Sequence, residues 1–500
     1  MPTLPRPLVT CLDVEGNVVL LRLSGEVSTK ARPTRRAFVV QLARNVKDAL
    51  ASEGIEGRIT RRYERILVET ADARAPEVLA RVFGLQSVSS ARCHPVASLD
   101  EVVALGEAHF REAVRGRRFA VRARSVGSPR LPFRGGDVDV ALGAKLLPVA
   151  AGVDLGNPEV TARIELFEGH AYLFDQAVPG PGGLPLGTGE RAVALVSGGF
   201  DSAVAAWQLQ RRGVVLDHVF ANLGGRTHRL GALRVMEVLA RRWSYGAHPR
   251  LHVVDFAAVS QDLQTNVEER YRQVVLKRLM LRAAEAVARE TRAHAIVTGE
   301  AVGQVSSQTL PNLATISEAT RFPILRPLVG TNKDEIVASA HRIGTGPLSA
   351  AVDEYCALVP RHPATRARLD AVLAEEANLD GALLEAAIAR REVLDLRHLG
   401  EEADGLGELA IAEIPPGAVV IDLRTRREHE GWHWPEAVQL DFTKALEAYP
   451  SFAKDRPYVL YCEYGLKSAH LAELMRKLGL EAFHVRGGTP ALRRMAASRA

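Results

Sequence analysis

Residues 17–23 form an apolar run, Asn-Val-Val-Leu-Leu-Arg-Leu, that predicts a buried strand. Between 34 and 50, apolar side chains recur at Phe38, Val39, Leu42, Val46 and Leu50, the spacing of one helical face. The stretch 58–70 reads as two short strands around a turn, and 76–83 as a further helix. Strand, helix, two strands and a helix predict a small ferredoxin-like α+β unit. A glycine- and proline-rich connector over 179–189 marks a boundary. Beyond it, apolar runs near 191–196, 214–221, 250–256 and 294–299 alternate with helical patterns. That alternation predicts a parallel α/β sheet with ligands at the carboxyl ends of its strands. After about residue 417 two more strands are expected, 419–424 and 458–462, with an amphipathic helix following the second.

Five hundred residues imply about three or four domains. No run of eighteen apolar residues predicts a membrane span, and residues 1–6 carry no apolar leader, so a cytoplasmic protein is expected. Cys11, Cys93, Cys356 and Cys462 form no C-x-x-C pair, which argues against a zinc knuckle or a secreted disulfide framework; no metal-ligating cluster is assigned. The net charge of +5 permits a nucleic-acid partner. Its distribution says more. Between Arg111 and Arg134 eight arginines face the single acid Glu112. Strand alternation over 118–124 throws Arg118, Arg122 and Arg124 to one face, and guanidinium forks on one face suit phosphates and RNA shape. Lys30, Arg32, Arg35 and Arg36 form a second acid-free cluster at a strand-to-helix connection.

The chemistry concentrates in two places. At the first, the 191–196 strand ends in Ser197-Gly198-Gly199-Phe200-Asp201-Ser202 and a helix follows at once. A strand, a glycine turn and a helix N-terminus point backbone N–H groups at an anion, and adjacent glycines let the main chain approach a phosphate. Ser197 and Ser202 add hydroxyls, while Asp201 calls for Mg²⁺ or an N–H partner. The spacing is not that of a Walker loop. At the second, Cys462 ends a strand and opens Cys462-Glu463-Tyr464-Gly465-Leu466-Lys467-Ser468 before a helix. Loop N–H groups, the helix dipole and Lys467 would stabilise a thiolate or persulfide there.

The first motif resembles the PP-loop of ATP pyrophosphatases, and the second, with Asp422-Leu423-Arg424 and Arg486-Gly487-Gly488, resembles a rhodanese domain. Trp432-His433-Trp434-Pro435 departs from the rhodanese pattern. Arg118–Arg124 and Gly156-Asn157-Pro158-Glu159-Val160 look like a THUMP RNA-binding domain. These elements, with Leu276-Lys277-Arg278, Thr298-Gly299-Glu300-Ala301, the run Gly303–Leu310, Leu325-Arg326-Pro327-Leu328 and Glu354-Tyr355-Cys356, are similar in order to the tRNA 4-thiouridine synthase (ThiI) family.

The resemblance implies an α/β multidomain chain. It would hold a ferredoxin-like unit over 1–75, THUMP over 76–178, a parallel-sheet PP-loop domain over 179–395, a linker over 396–416 and an α/β rhodanese domain over 417–500. It implies ATP and Mg²⁺, with the nucleotide at Leu195, Val196, Ser197, Gly198, Gly199, Ser202, Lys277, Gly299 and Gln308, and Asp201 and Lys333 supporting the catalytic loop. Adenylation of uridine 8 of tRNA at O4 would precede sulfur transfer from a Cys462 persulfide. Cys356 would then form a transient disulfide with Cys462, with the sulfur leaving either as free sulfide or directly from the persulfide. The implied partners are tRNA, a cysteine desulfurase, a cellular reductant and a sulfur-carrier protein of thiamine synthesis, with a homodimer left open. Two other readings are carried: a sulfur donor to a small molecule or carrier protein, and a non-catalytic RNA-binding protein.

Overall fold

The computed structural model describes residues 17–62, 65–127, 131–223, 225–352, 360–400, 407–411 and 413–497. Cys356, Arg130 and part of the expected linker lie outside the described residues. The chain forms two compact units that divide between Thr188 and Gly189, with 211–213 grouped with the first.

The first unit is built on one nine-stranded sheet. Arg58–Arg61, Arg65–Glu69 and Asn17–Leu23 lead to the long strand Leu85–Pro95, His170–Phe174, Val160–Phe167, Arg118–Ser125 and Gly152–Val153 continue beyond it, and Val178–Pro179 pairs with Leu85–Pro95 off this path. Leu85–Pro95 makes the sheet continuous: Val88 lies opposite Leu21 of the first strand, while Cys93 lies opposite Tyr172. A buried charge cluster crosses the same junction. The Glu165 carboxylate accepts from Nε of Arg22 and, at 2.8 Å, from Nε of Arg65. The helix expected over 34–50 runs from Arg32 to Ser52, with Pro33 in its first turn, where a missing N–H costs nothing. Lys30 precedes it, and Arg32, Arg35 and Arg36 sit on the helix itself. The pattern over 76–83 yields only the short helix Ala75–Leu79. Val82 and Phe83 reach the core from the turn that follows, where Gly84 has φ +96°.

The second unit carries two sheets. Six strands run in the order Ile324–Leu325, Ala295–Val297, Arg191–Val196, Val215–Asn222, Arg250–Asp255 and Glu392–Asp395. All neighbouring pairs are parallel except the last, which is antiparallel. That edge strand has no signal in the sequence, because its four residues are mostly exposed and show no apolar run. Phe200–Arg211, Gly225–Trp243 and the long helix Arg272–Thr291 follow the strands, and Val275 and Leu279 of the last pack with Val193, Val219 and Val254 of the sheet. The other sheet orders Ala410–Ile411, Ala482–Val485, Tyr458–Tyr461, Val419–Asp422 and Val438–Gln439, all parallel. No helix among the described residues is long and apolar enough to cross a membrane.

His218 and His252 are buried on neighbouring strands of the six-stranded sheet, and Nδ1 of His252 accepts from Nε of Arg391 at 3.2 Å. Burial pushes both imidazoles down from 6.5 to about 4. The unfolded chain takes up protons below about 6.5, whereas the folded one resists until about 4. The stability they confer is therefore complete above 6.5 and falls as the pH drops, by on the order of 2 kcal/mol per histidine at pH 5. Urea midpoints of wild type should fall between pH 6.5 and 4.5, and the His218→Asn/His252→Asn double variant should show a shallower fall; equal slopes would contradict this.

Candidate functional site

The turn after Arg191–Val196 is shaped by close backbone approach. Gly198 has φ +81°, and a Cβ there would stand 2.8 Å from Cα of Ala232. A Cβ on Gly299, just past the neighbouring strand, would stand 2.7 Å from the Asp201 carbonyl carbon and 2.8 Å from the Ser202 nitrogen. The loop is further fixed by Ser202, whose Oγ accepts from the Ser197 N–H at 3.2 Å and donates to the Gly199 carbonyl at 3.3 Å. The helix Phe200–Arg211 starts at once and aims its N-terminus into a cavity of about 450 Å³.

Two charge ties line that cavity. Lys333 Nζ lies 2.8 and 3.0 Å from the Asp201 carboxylate oxygens, and Gln304 donates to the same group at 2.8 Å. Lys277 Nζ lies 3.1 Å from Glu300, whose other oxygen accepts from Nε of Arg326 at 2.8 Å. Burial works against the Glu300 charge, but Lys277 and Arg326 hold the carboxyl below the usual carboxylate range. Arg278, next in sequence, turns into the core onto Glu376 at 2.5 Å. The inner wall is apolar, with Phe220, Leu223, Met280, Leu281 and Ile316. His228 faces the same space, 4.7 Å from the Phe220 ring centroid, and burial pushes it down to about 4, so it is neutral at pH 7.

Cys462 lies at the end of Tyr458–Tyr461, 5% exposed, with Sγ 3.6 Å from Oγ of Ser468. Its carbonyl accepts from the Thr489 N–H at 3.0 Å, and Gly488 must lack a side chain because a Cβ would stand 2.4 Å from that oxygen. Gly465, at φ +83°, turns the loop into the helix Leu466–Lys477. Under the loop, buried Asp422 accepts from Arg424 at 2.9 and 2.7 Å and from the Tyr461 hydroxyl at 2.8 Å. It also pairs with Nδ1 of His429 at 3.0 Å. These donors overcome burial and keep the carboxyl below its ordinary range. The Trp432–Pro435 departure has a structural use: Trp432 and Trp434 pack on this domain's core, and the Trp432 carbonyl accepts from Arg424 at 2.5 Å. Above Cys462 is a cavity of about 320 Å³. Ala350, in the turn after the helix Gly346–Ser349, lines both this cavity and the one at the glycine loop.

Family models match four segments: the ThiI ferredoxin-like domain over 18–89, the THUMP domain over 96–175, the thiamine biosynthesis protein (ThiI) over 187–380 and the rhodanese-like domain over 408–494. The chain is 36% identical over 472 residues to the tRNA sulfurtransferase of Pyrobaculum aerophilum, covering 94% of this chain and 96% of that one. It is 35% identical over 464 residues to that of Pseudomonas paraeruginosa, covering 90% and 95%. The chain belongs to the ThiI family of tRNA sulfurtransferases. A solved structure described as a 4-thiouridine synthetase–RNA complex with bound ATP is 30% identical, with a TM-score of 0.66; the match covers 76% of this chain and 99% of that one.

Of the nucleotide and catalytic-loop residues that the ThiI resemblance implies, the structure gathers Leu195, Val196, Ser197, Gly199, Asp201, Ser202, Lys277, Gly299, Gln308 and Lys333 around one cavity. Gly198 is the exception. It turns the loop and packs on Ala232 rather than lining the space. Arg118, Arg122 and Arg124 are exposed on one strand; Arg122 donates to the Leu155 carbonyl at 2.5 Å, and Arg118 Nη1 lies 3.6 Å from Asp154. Lys30, Arg32 and Arg36 are exposed, and Arg35 is half-buried. Glu300, Arg326, His228 and Ala350 have no individual role in the sequence pattern. The first two stand inside runs the resemblance had marked, whereas His228 and Ala350 carry no local signal. Among the described residues, His248, Asp395 and His398 bring their side-chain N and O atoms within 4.8 Å of one another, but they line neither cavity.

Asp422→Asn should leave the buried Arg424 without its counter-charge and cost about 3 kcal/mol in this domain. Urea unfolding should shift to lower denaturant, and Cys462 should alkylate faster with iodoacetamide; an unchanged midpoint and rate would contradict the anchoring role.

Proposed function

We propose that this chain uses ATP to activate O4 of uridine 8 in tRNA and replaces that oxygen with sulfur carried on Cys462, giving 4-thiouridine. The observation that carries the reading is the shared wall at Ala350: a cavity lined by the glycine loop, Lys277 and Lys333 adjoins one lined by Cys462. The apolar wall of Phe220, Met280 and Ile316 suits a flat heterocycle, and the helix N-terminus with Lys277 and Lys333 suits its phosphates. Asp201 is the residue that would hold Mg²⁺, since that ion takes one or two carboxylates together with phosphate oxygens. When bound, the ion would neutralise phosphate charge. Lys333, now on Asp201, would then be free to meet the phosphates.

The uridine O4 attacks the α-phosphate and pyrophosphate leaves. A cysteine desulfurase loads Cys462 as a persulfide. Its terminal sulfur attacks C4, and AMP departs with the former C4–O electron pair. Cys356 then attacks Sγ of Cys462, the S–S bond breaks, and its electron pair stays on the sulfur now attached to C4. The Cys356–Cys462 disulfide takes two electrons from a cellular reductant, as a transient catalytic disulfide does in a reducing compartment. The basic clusters at Lys30, Arg32, Arg35 and Arg36 and at Arg118, Arg122 and Arg124 would hold the tRNA phosphates.

The match to a thiamine biosynthesis model supports a second use, sulfur supply from Cys462 to a carrier protein for thiazole synthesis. It would survive Asp201→Ala but not Cys462→Ala.

The test is thiolation of unmodified tRNA with ATP, Mg²⁺, cysteine and a desulfurase, read by near-ultraviolet absorbance. Wild type should form 4-thiouridine, and Cys462→Ala, Cys356→Ala and Asp201→Ala should each lose it by at least about a hundredfold. No product from wild type would overturn the reading, and product from Cys356→Ala would discard the disulfide step.

A further inference from the structure

The helix Gly225–Trp243 serves two neighbours. His228 faces the cavity at the glycine loop, while Leu230, two residues on, is buried against residues of the rhodanese-like segment. There Leu230 meets Leu409, Leu466 and Ala469, all buried, and Leu348, Ala351, Val352 and Tyr464 pack around them. The cluster is wholly uncharged and joins the 187–380 family segment to the 408–494 one. Gly231 lets the helix press close, since a Cβ there would stand 2.8 Å from a Val352 methyl. Val352 also lines the cavity at the glycine loop. The helix Leu466–Lys477 that carries Ala469 begins directly after the Cys462 loop. One apolar seam therefore touches the walls of both cavities.

We infer that this seam is a docking surface that holds the Cys462 cavity against the nucleotide cavity during sulfur transfer, with Leu230 and Leu409 as positioning residues. The inference rests on the sulfur-transfer reading above. Packing of buried leucines fixes position to a fraction of an ångström, and a misplacement of about 1 Å at a reacting centre can cost a hundredfold in rate. Neither Leu230 nor Leu409 lines either cavity, so both can be changed without touching the reacting groups. A charge in the seam would be buried without a partner, and the two segments would separate instead.

The experiment uses the full chain as Leu230→Glu, Leu409→Lys and the double variant. Three quantities are read on each: the radius of gyration by small-angle scattering, ATP affinity together with persulfide loading of Cys462, and the single-turnover rate from preloaded persulfide to tRNA. Each single variant should expand, keep ATP affinity and loading within about twofold, and transfer sulfur at least about tenfold more slowly. The double variant, with opposite charges across the seam, should regain compactness and part of the rate. Unchanged scattering and rate in the single variants would overturn the inference. So would a rate loss matched by equal loss of ATP affinity or loading, or one that the double variant does not relieve. A compact wild type that makes no 4-thiouridine, with variants that expand, would overturn the activity reading and leave the docking surface standing.

Discussion

Close backbone packing around the Ser197–Gly199 turn is the constraint on which the site depends. Gly198 admits no side chain because the Gly225–Trp243 helix passes against it, and Gly299 admits none because the next strand end passes against Asp201 and Ser202. Three elements from separate parts of the chain are thereby locked around one loop. The consequences spread outward. The lock aims the Phe200–Arg211 N-terminus into the cavity, sets Asp201 within reach of Lys333 and Gln304, and fixes the helix that carries both His228 and Leu230.

The electrostatics of the cavity follow from pairing rather than from a surplus of one sign. Lys277 is held by Glu300 and Lys333 by Asp201, so the positive charges are stored against carboxylates. A polyanion arriving at these lysines would exchange one set of pairs for another. Little ordering is then left to be done at the moment of binding, which is how preorganised sites keep their advantage. The Cys462 loop is organised on the same principle, with Asp422 gathering Arg424, Tyr461 and His429 beneath it.

Much of this was legible in the sequence because it is local. The strand–glycine turn–helix at 191–211 and the strand–loop–helix at 458–477 each occupy contiguous residues, and their periodicities and turn chemistry survive in one dimension. What was not legible depends on partners far along the chain. Glu300 is tied to Lys277 across twenty-three positions, and Glu165 to Arg22 across one hundred and forty-three. The edge strand Glu392–Asp395 owes its existence to its partner Arg250–Asp255 rather than to its own pattern. Ala350 has no chemistry of its own and matters only because two cavities meet at it. Gly198 shows the converse case, a loop residue that lies against Ala232 and is absent from the cavity lining.

We propose that one sulfur atom passes from Cys462 to tRNA only after the neighbouring cavity has done its ATP chemistry. The most direct measurement is a single turnover with ³⁵S-persulfide preloaded on the full chain, mixed with unmodified tRNA in the presence or absence of ATP and Mg²⁺. The label should move from protein to tRNA with ATP, one sulfur for each AMP released, and should stay on the protein without it. Transfer that is independent of ATP, or AMP release with the label still on Cys462, would contradict the account.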